Sequence, residues 1–319
     1  MMKLGIVCPC NNEHEVLLQS GERLTALLDG LVAKQKIAPD SFVLLVNDGS
    51  RDNTWQLIKQ LHNDNRYFRG VNLAKNVGHQ NAIMAGMMTA KDHCDAVITI
   101  DVDLQDDLNA LERMIDKYHE GYDIVYGVKV SRQGDSFIKK NTALMFYKFQ
   151  QAMGVKAVYN HADFRLMSRR TLEQLSHFEE RNLYLRGLIP MIGYPSTTVE
   201  DVISARTAGQ SKYTVKKMFT LAADGITSFS TKPISLIFTA GIFCLLVSVC
   251  MFIYVEHLAV PGWPSIMLSI WFIGGLLLLS IGIIGEYIGK IYIEVKHRPL
   301  YNIESILWDK TDDAQSDHE

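Results

Sequence analysis

Two aspartates separated by one residue, Asp101 and Asp103 in the run DVDLQD, are the sharpest chemical feature of the chain. The run follows the apolar stretch AVITI, which reads as a buried strand, so both carboxylates emerge where the chain leaves a sheet. There they can reach one ion, with Gln105 adding a neutral oxygen. Oxygen ligands of this kind suit Mg²⁺ or Mn²⁺, with water and substrate phosphates completing the shell. An Asp-x-Asp alone occurs in many loops; its place directly after a strand gives it weight. Two more polar turns follow apolar runs in the same way: Pro9 to Glu13 after Leu4 to Cys8, and Asn47 to Asp52 after Phe42 to Val46. An acidic crevice repels a nucleotide diphosphate unless a divalent cation lies between them.

Such turns need a scaffold that brings them to one edge. The first 230 or so residues alternate short β-rich runs with longer amphipathic ones, which implies an α/β domain with a mainly parallel sheet covered by helices. In open sheets of that type the ligand crevice lies at the carboxyl ends of the strands, where all three polar turns fall.

Composition narrows the chemistry further. The chain has 319 residues with 32 Lys+Arg against 35 Asp+Glu, a net charge of −3, so binding to nucleic acid through bulk basicity is not expected. The five cysteines form no even framework and no paired zinc spacing, and Cys8 and Cys10 read as strand-packing residues in a reducing compartment. With the polar residues Asn11 to Glu15, no secretory leader is expected in the first twenty positions. There is no G-x-x-x-x-G-K-[ST], no G-x-G-x-x-G after the first strand and no G-x-S-x-G, so P-loop hydrolysis, dinucleotide chemistry and a nucleophile elbow all lack support.

The carboxyl-terminal third has a different composition. Ile234 to Tyr254 carries no charged side chain, and these 21 residues would span about 32 Å as a helix, close to the roughly 30 Å of a bilayer core. Ile266 to Ile288 is interrupted only by Glu286, and two transmembrane helices are expected. The connecting EHLAVPGWP has no Lys or Arg. Lys212, Lys216, Lys217 and Lys232 precede the first span, and Lys290, Lys296 and Arg298 follow the second. The positive-inside rule therefore places both termini in the cytoplasm. Tyr213 to Ile226 reads either as an amphipathic helix on the inner leaflet or as ordinary domain packing. Glu286, with Lys290 four residues later, reads as a structural ion pair more than as a chemical group. His79, His161 and His177 have no second ligand at metal spacing and read as structural or supporting residues.

Eight runs in a fixed order carry a resemblance: PCNNE, VNDGSRDNT, AKNVGHQNAIMAG, DVDLQD, GDSFIKK, ADFRLMSR, ERNLYLRGL and AGQSKY. Together they resemble the family 2 glycosyltransferases, and more narrowly the polyprenyl-phosphate glycosyltransferases, including bactoprenol glucosyltransferases and dolichyl-phosphate mannose synthases. The resemblance implies a GT-A fold, with a catalytic domain over 1–210, a juxtamembrane region over 211–233, two spans over 234–288 and a cytoplasmic segment with a disordered tail over 289–319. It implies that Asp48 holds the base or ribose, that Pro9, Asn12, Glu13, Asn76 and Gly78 line the nucleotide-sugar pocket with Asp101, and that Asp101, Asp103 and Gln105 bind the metal. Lys129 and Lys140 match positions that grip the acceptor phosphate, and Arg132, in the same cationic run, is assigned to the same role. Lys139 and, more weakly, Arg165, Arg181, Arg186, Arg206 and Lys212 are cations of the same kind.

Asp163 matches a residue proposed as catalytic base in relatives. A lipid phosphate, with a second pKa of about 6, is already mostly dianionic at neutral pH, so base and positioning roles for Asp163 both remain open. Asn11 stands where relatives carry an aromatic residue, and Lys75 and Lys129 where many carry Arg. The expected protein is a metal-dependent, inverting hexosyltransferase of the cytoplasmic membrane. It would move one sugar from a nucleotide sugar, UDP-glucose first and UDP-N-acetylglucosamine next, to polyprenyl phosphate, and a homo-oligomer is expected. A processive synthase is the less favoured enzyme, because Q-x-x-R-W is absent. A membrane-anchored nucleotide-sugar sensor, which needs neither the GDSFIKK lysines nor Asp163, is the alternative from another class.

Overall fold

The computed structural model describes residues 1–129, 161–202 and 262–308, together with a few helical positions between 234 and 243. The chain divides into two units, one comprising 1–140, 157–212 and 298–319, the other 141–156 and 213–297. In the first unit β1 (Leu4–Cys10), α1 (Leu17–Ala33), β2 (Phe42–Asn47), α2 (Thr54–Asp64), β3 (Phe68–Leu73), α3 (His79–Ala90) and β4 (Ala96–Thr99) alternate as the sequence predicts. They are followed by α4 (Leu108–His119), β5 (Ile124–Lys129), β6 (His161–Ser168), α5 (Arg169–Ser176), α6 (Leu185–Met191) and β7 (Ser196–Asp201), and far along the chain by β8 (Ile303–Leu307).

The eight strands form one sheet in the order β7-β5-β6-β4-β1-β2-β3-β8. β4, β1, β2 and β3 run parallel, as do β5 and β7, whereas β6 and β8 run antiparallel to their neighbours. The sheet is thus mainly parallel. Every residue of β1 and β2 is buried, as a sheet covered on both faces requires. Cys8 and Cys10 pack inside β1, where burial pushes both thiols up and leaves them inert. Pro9 is tolerated in this central strand for a reason of register. The Val7 carbonyl faces β4 and accepts from Ile100, so Pro9, two residues on, turns its missing N–H toward the same side, where β4 has already ended.

α3 lies tight against β1 and β2. A methyl group at Gly86 would sit 2.4 Å from a Val7 methyl and 2.7 Å from a Val46 methyl, so only glycine lets the helix approach this closely. That contact fixes the amino end of α3 over the carboxyl ends of both strands.

β8 lies within 289–319 and joins this segment to the sheet. It pairs antiparallel with β3, from Gly70 opposite Leu307 to Leu73 opposite Ile303, and the Ala74 amide donates to the Asn302 carbonyl at 3.0 Å. Trp308 packs edge-on against Phe42 and over His93. The edge of β3 supplies what a short apolar run cannot supply alone, a partner for its backbone.

In the second unit α7 (Trp263–Val295) is a 33-residue helix, and its segment Phe272–Val295 is long and apolar enough to cross a membrane. Apolar side chains such as Leu278 and Ile281 are exposed along it, which is costly in water and suited to lipid. Helix α7 overruns the expected span of 266–288 at both ends. The first expected span, the juxtamembrane region and residues 310–319 lie outside the described residues, apart from the few positions named above.

Candidate active site

Parallel register brings the polar turns together. Cys10 of β1 is opposite Asn47 of β2, and Val7 is opposite Thr99 of β4, so the segments beginning at Asn11, Asp48 and Ile100 leave the sheet on one edge. β6 runs the other way, with Arg165 opposite Thr99, so its first residues reach the same edge. The Thr99 hydroxyl donates to the Asp163 carbonyl and pins that end.

Asp48 organises the loops that follow β1, β2 and β3. Its carboxylate accepts from the Val77 amide at 2.7 Å and the Gly78 amide at 3.1 Å, and its carbonyl accepts from the Asn11 and Asn76 side chains at 2.7 and 3.2 Å. Burial pushes the Asp48 carboxyl up, against the pull of those two amides. Gly49 has φ +57, and a methyl group there would lie 2.2 Å from the Asn76 nitrogen. The Asp-Gly pair is therefore a requirement of the loop packing. Asn12, at φ 56, adopts a left-handed conformation that Asn tolerates. Its side chain accepts from the Arg51 amide, and its own amide donates to Ser50. The Glu13 amide donates to Thr54. The structure thus draws Asn12, Glu13, Asp48, Asn76 and Gly78 into one interlocked set of loops, with Asn11 part of the same network.

On the next turn Asp101 keeps solvent access in a recess. Protein atoms strip its hydration and push its carboxyl up; His79 opposes the shift, while the Asp163 and Asp103 charges reinforce it. Leu104 is buried in a left-handed conformation at φ 47, a strain of about 1–2 kcal/mol for a residue with a Cβ. That bend folds Gln105 back, so its side-chain amide donates to Asp103 at 2.6 Å. In this arrangement Gln105 orients Asp103 through nitrogen, a detail invisible in the run DVDLQD.

Asp106 is buried beside Asp201, with the Lys129 ammonium at 3.6 Å. Burial pushes the Asp106 carboxyl up to about 7, against Lys129 and with help from the charges of Asp201 and Asp101. The folded state keeps this proton to about pH 7 whereas an unfolded Asp releases it near pH 4, so this group makes stability fall as pH rises between those values. Asp106→Asn is expected to melt higher than the parent at about pH 8 and to match it near pH 4.5, measured by scanning fluorimetry.

Asp163 is enclosed by cations. Arg165 Nη2 lies 2.6 Å from Oδ1, Arg186 Nη2 3.2 Å from Oδ2, and His79 Nε2 3.5 Å from Oδ2. Burial alone would raise its carboxyl; His79, Arg186 and Arg165 outweigh that and hold it well below the usual carboxylate range. Desolvation works against the His79 ring, yet Asp163 and Asp101 together raise its pKa. Arg165 itself is fully buried on β6. The part played by His79 was hidden in the sequence, although its place directly after Gly78 at a helix start was a signal. For Asp201, 95 residues beyond Asp106, there was none. Arg132, Lys139 and Lys140 lie outside the described residues, as do Arg206 and Lys212.

Among the described residues no three His, Cys, Asp or Glu side chains form a metal cage. Asp101 and Asp103 nonetheless fit a Mg²⁺ or Mn²⁺ site of the open kind. They offer two hard oxygen donors, their mutual repulsion is relieved by a cation, and substrate phosphates can supply the missing ligands.

Residues 6–176, more than half of the chain, match the family model Glycosyl transferase family 2. The chain belongs to that family. Two relatives show how far the likeness extends within family 2. The uncharacterized glycosyltransferase YkoT of Bacillus subtilis (strain 168) is 47% identical, covering 96% of this chain and 93% of its own. The bactoprenol glucosyl transferase of Shigella phage SfV is 37% identical, covering 95% of this chain and 99% of its own. Among solved structures, a glucosyl-3-phosphoglycerate synthase from Mycobacterium tuberculosis is similar with TM-score 0.46 and 14% identity over 71% of this chain and 76% of that one. The sheet is the mainly parallel α/β sheet that the sequence implies.

Proposed function

We propose that this glycosyltransferase moves a single hexose from a nucleotide sugar to a polyprenyl phosphate at the cytoplasmic face of the membrane, with inversion. The observation that carries the reading is the meeting, on one sheet edge, of the Asp48 loops, the Asp101–Asp103 pair and the caged Asp163. It is supported by relatives over nearly the whole chain that are named for bactoprenol glucosyl transfer, and by the membrane-length helix α7. UDP-glucose is the proposed donor, with UDP-N-acetylglucosamine second.

The loops of Asn12, Glu13, Asp48, Asn76 and Gly78 bind and orient the nucleotide, with Pro9 beneath them. Asp101 and Asp103 would hold Mg²⁺ or Mn²⁺, which would supply charge neutralisation for the departing diphosphate without a proton donor. The lipid phosphate arrives mostly dianionic, its second pKa being about 6, so attack on the anomeric carbon requires alignment and little proton removal. Lys129, Arg132 and Lys140 are assigned to that alignment, and Asp163, anchored by the buried Arg165, to holding Arg186 beside the reacting phosphates.

Membranes containing the protein, incubated with undecaprenyl phosphate and a panel of labelled nucleotide sugars, are expected to yield one labelled lipid, strongest with UDP-glucose. Nucleotide-sugar binding without any labelled lipid would overturn the reading in favour of a sensor.

A further inference from the structure

We infer that His79 is a positioning residue, a spacer whose Nε2 sets the separation of the Asp101 and Asp163 carboxylates. The inference rests on the transferase reading above. His79 opens α3, and the residues around it tie the site together. Val77 and Gly78 are held by the Asp48 carboxylate, and the Gln80 side-chain oxygen accepts from the Leu185 amide at 2.9 Å, at the start of the helix that carries Arg186. The Asn81 side chain returns to the Val77 carbonyl at 2.9 Å. With Gly86 seating α3 on β1 and β2, the residues on both sides of His79 are held in place.

From this clamped position the ring reaches two carboxylates that arrive on different strands. Nε2 lies 3.6 Å from Asp101 Oδ1 and 3.5 Å from Asp163 Oδ2, touching both and bonded tightly to neither. Asp163 is already fastened by Arg165 and Arg186, so it is the fixed partner, and Asp101, more exposed and repelled by Asp103 and Asp163, is the one in need of a stop. The imidazole fills the gap that would otherwise let Asp101 swing away from Asp103.

The test uses the full chain in lipid nanodiscs and three variants. His79→Ala is expected to lower kcat about 100-fold with KM for the nucleotide sugar changed less than about threefold, the pattern of misplacement without lost ground-state binding. Its Mn²⁺ affinity, read by calorimetric titration in the presence of UDP, is expected to weaken about tenfold. His79→Gln places an amide N–H near the same point and is expected to stay within about fivefold of the parent in both readouts. His79→Asn, too short to touch both carboxylates, is expected to resemble the alanine variant and replaces it if that variant does not fold. Parental kcat and Mn²⁺ affinity in the alanine and asparagine variants would overturn the inference. So would a glutamine variant as damaged as alanine, or tighter Mn²⁺ binding on removal of the ring. If the parent makes no labelled lipid, the transferase reading fails, while the Mn²⁺ titration still decides whether His79 positions Asp101.

Discussion

Asp103→Ala is expected to reach the membrane in normal amount and to form labelled lipid at least about 10³-fold more slowly than the parent. Removing this carboxylate leaves Asp101 as the one acidic donor of the pair and deprives the Gln105 amide of its acceptor. The diphosphate must then leave against its own charge in a partly dry crevice, where unscreened repulsion is far costlier than in bulk water. The rate at saturating Mn²⁺ is the deciding measurement, since a simple loss of affinity is recovered by more metal and a loss of leaving-group stabilisation is not. Undiminished turnover would sink the assignment of the pair. Gln105→Ala is expected to be milder, because in the structure Gln105 orients a donor.

The second large effect separates the two roles of Asp163. Asn at this position keeps the shape of the side chain but strands the Arg165 and Arg186 guanidiniums, one of them fully buried, without their counter-charge. Breaking a buried pair in this way costs about 3–5 kcal/mol. Asp163→Asn is therefore expected to lower both the melting temperature and kcat. Its pH–rate profile is expected to keep the parent's acidic limb near pH 6, which belongs to the second ionisation of the acceptor phosphate. A carboxyl held well below the usual range is not the group that titrates there. If instead the variant melts like the parent and its acidic limb vanishes, Asp163 is the base.

Much of this arrangement was written in local patterns. Apolar runs ending in polar residues marked β1, β2 and β4, because a strand buried on both faces must be continuously apolar and its exit toward ligand must not be. The two carboxylates of DVDLQD were legible for the same reason, and the long apolar run of α7 from Ile266 to Gly285 announced itself. What was not legible depends on partners distant in sequence. His79 and Arg186 meet at Asp163 across 84 and 23 residues, and no spacing rule anticipates a cage assembled from a helix start, a strand and a second helix. The role of Gln105 depends on the left-handed bend at Leu104, which brings its side chain to Asp103, and on the carboxylate, which only accepts and so faces the amide nitrogen. IESIL is five residues long, too short for alternation to tell strand from loop.

That last strand has a consequence for how the protein is made. Leu73 ends β3 and Ile303 begins its partner, so the ribosome must deliver 230 more positions, the long apolar helix among them, before the sheet can be finished. Until then β3 offers a bare row of amides and carbonyls, and Phe42 waits without the indole that later covers it. Cutting the gene ahead of the helix to obtain a soluble fragment would make this waiting state permanent, with a sticky margin directly upstream of the loop that clasps Asp48.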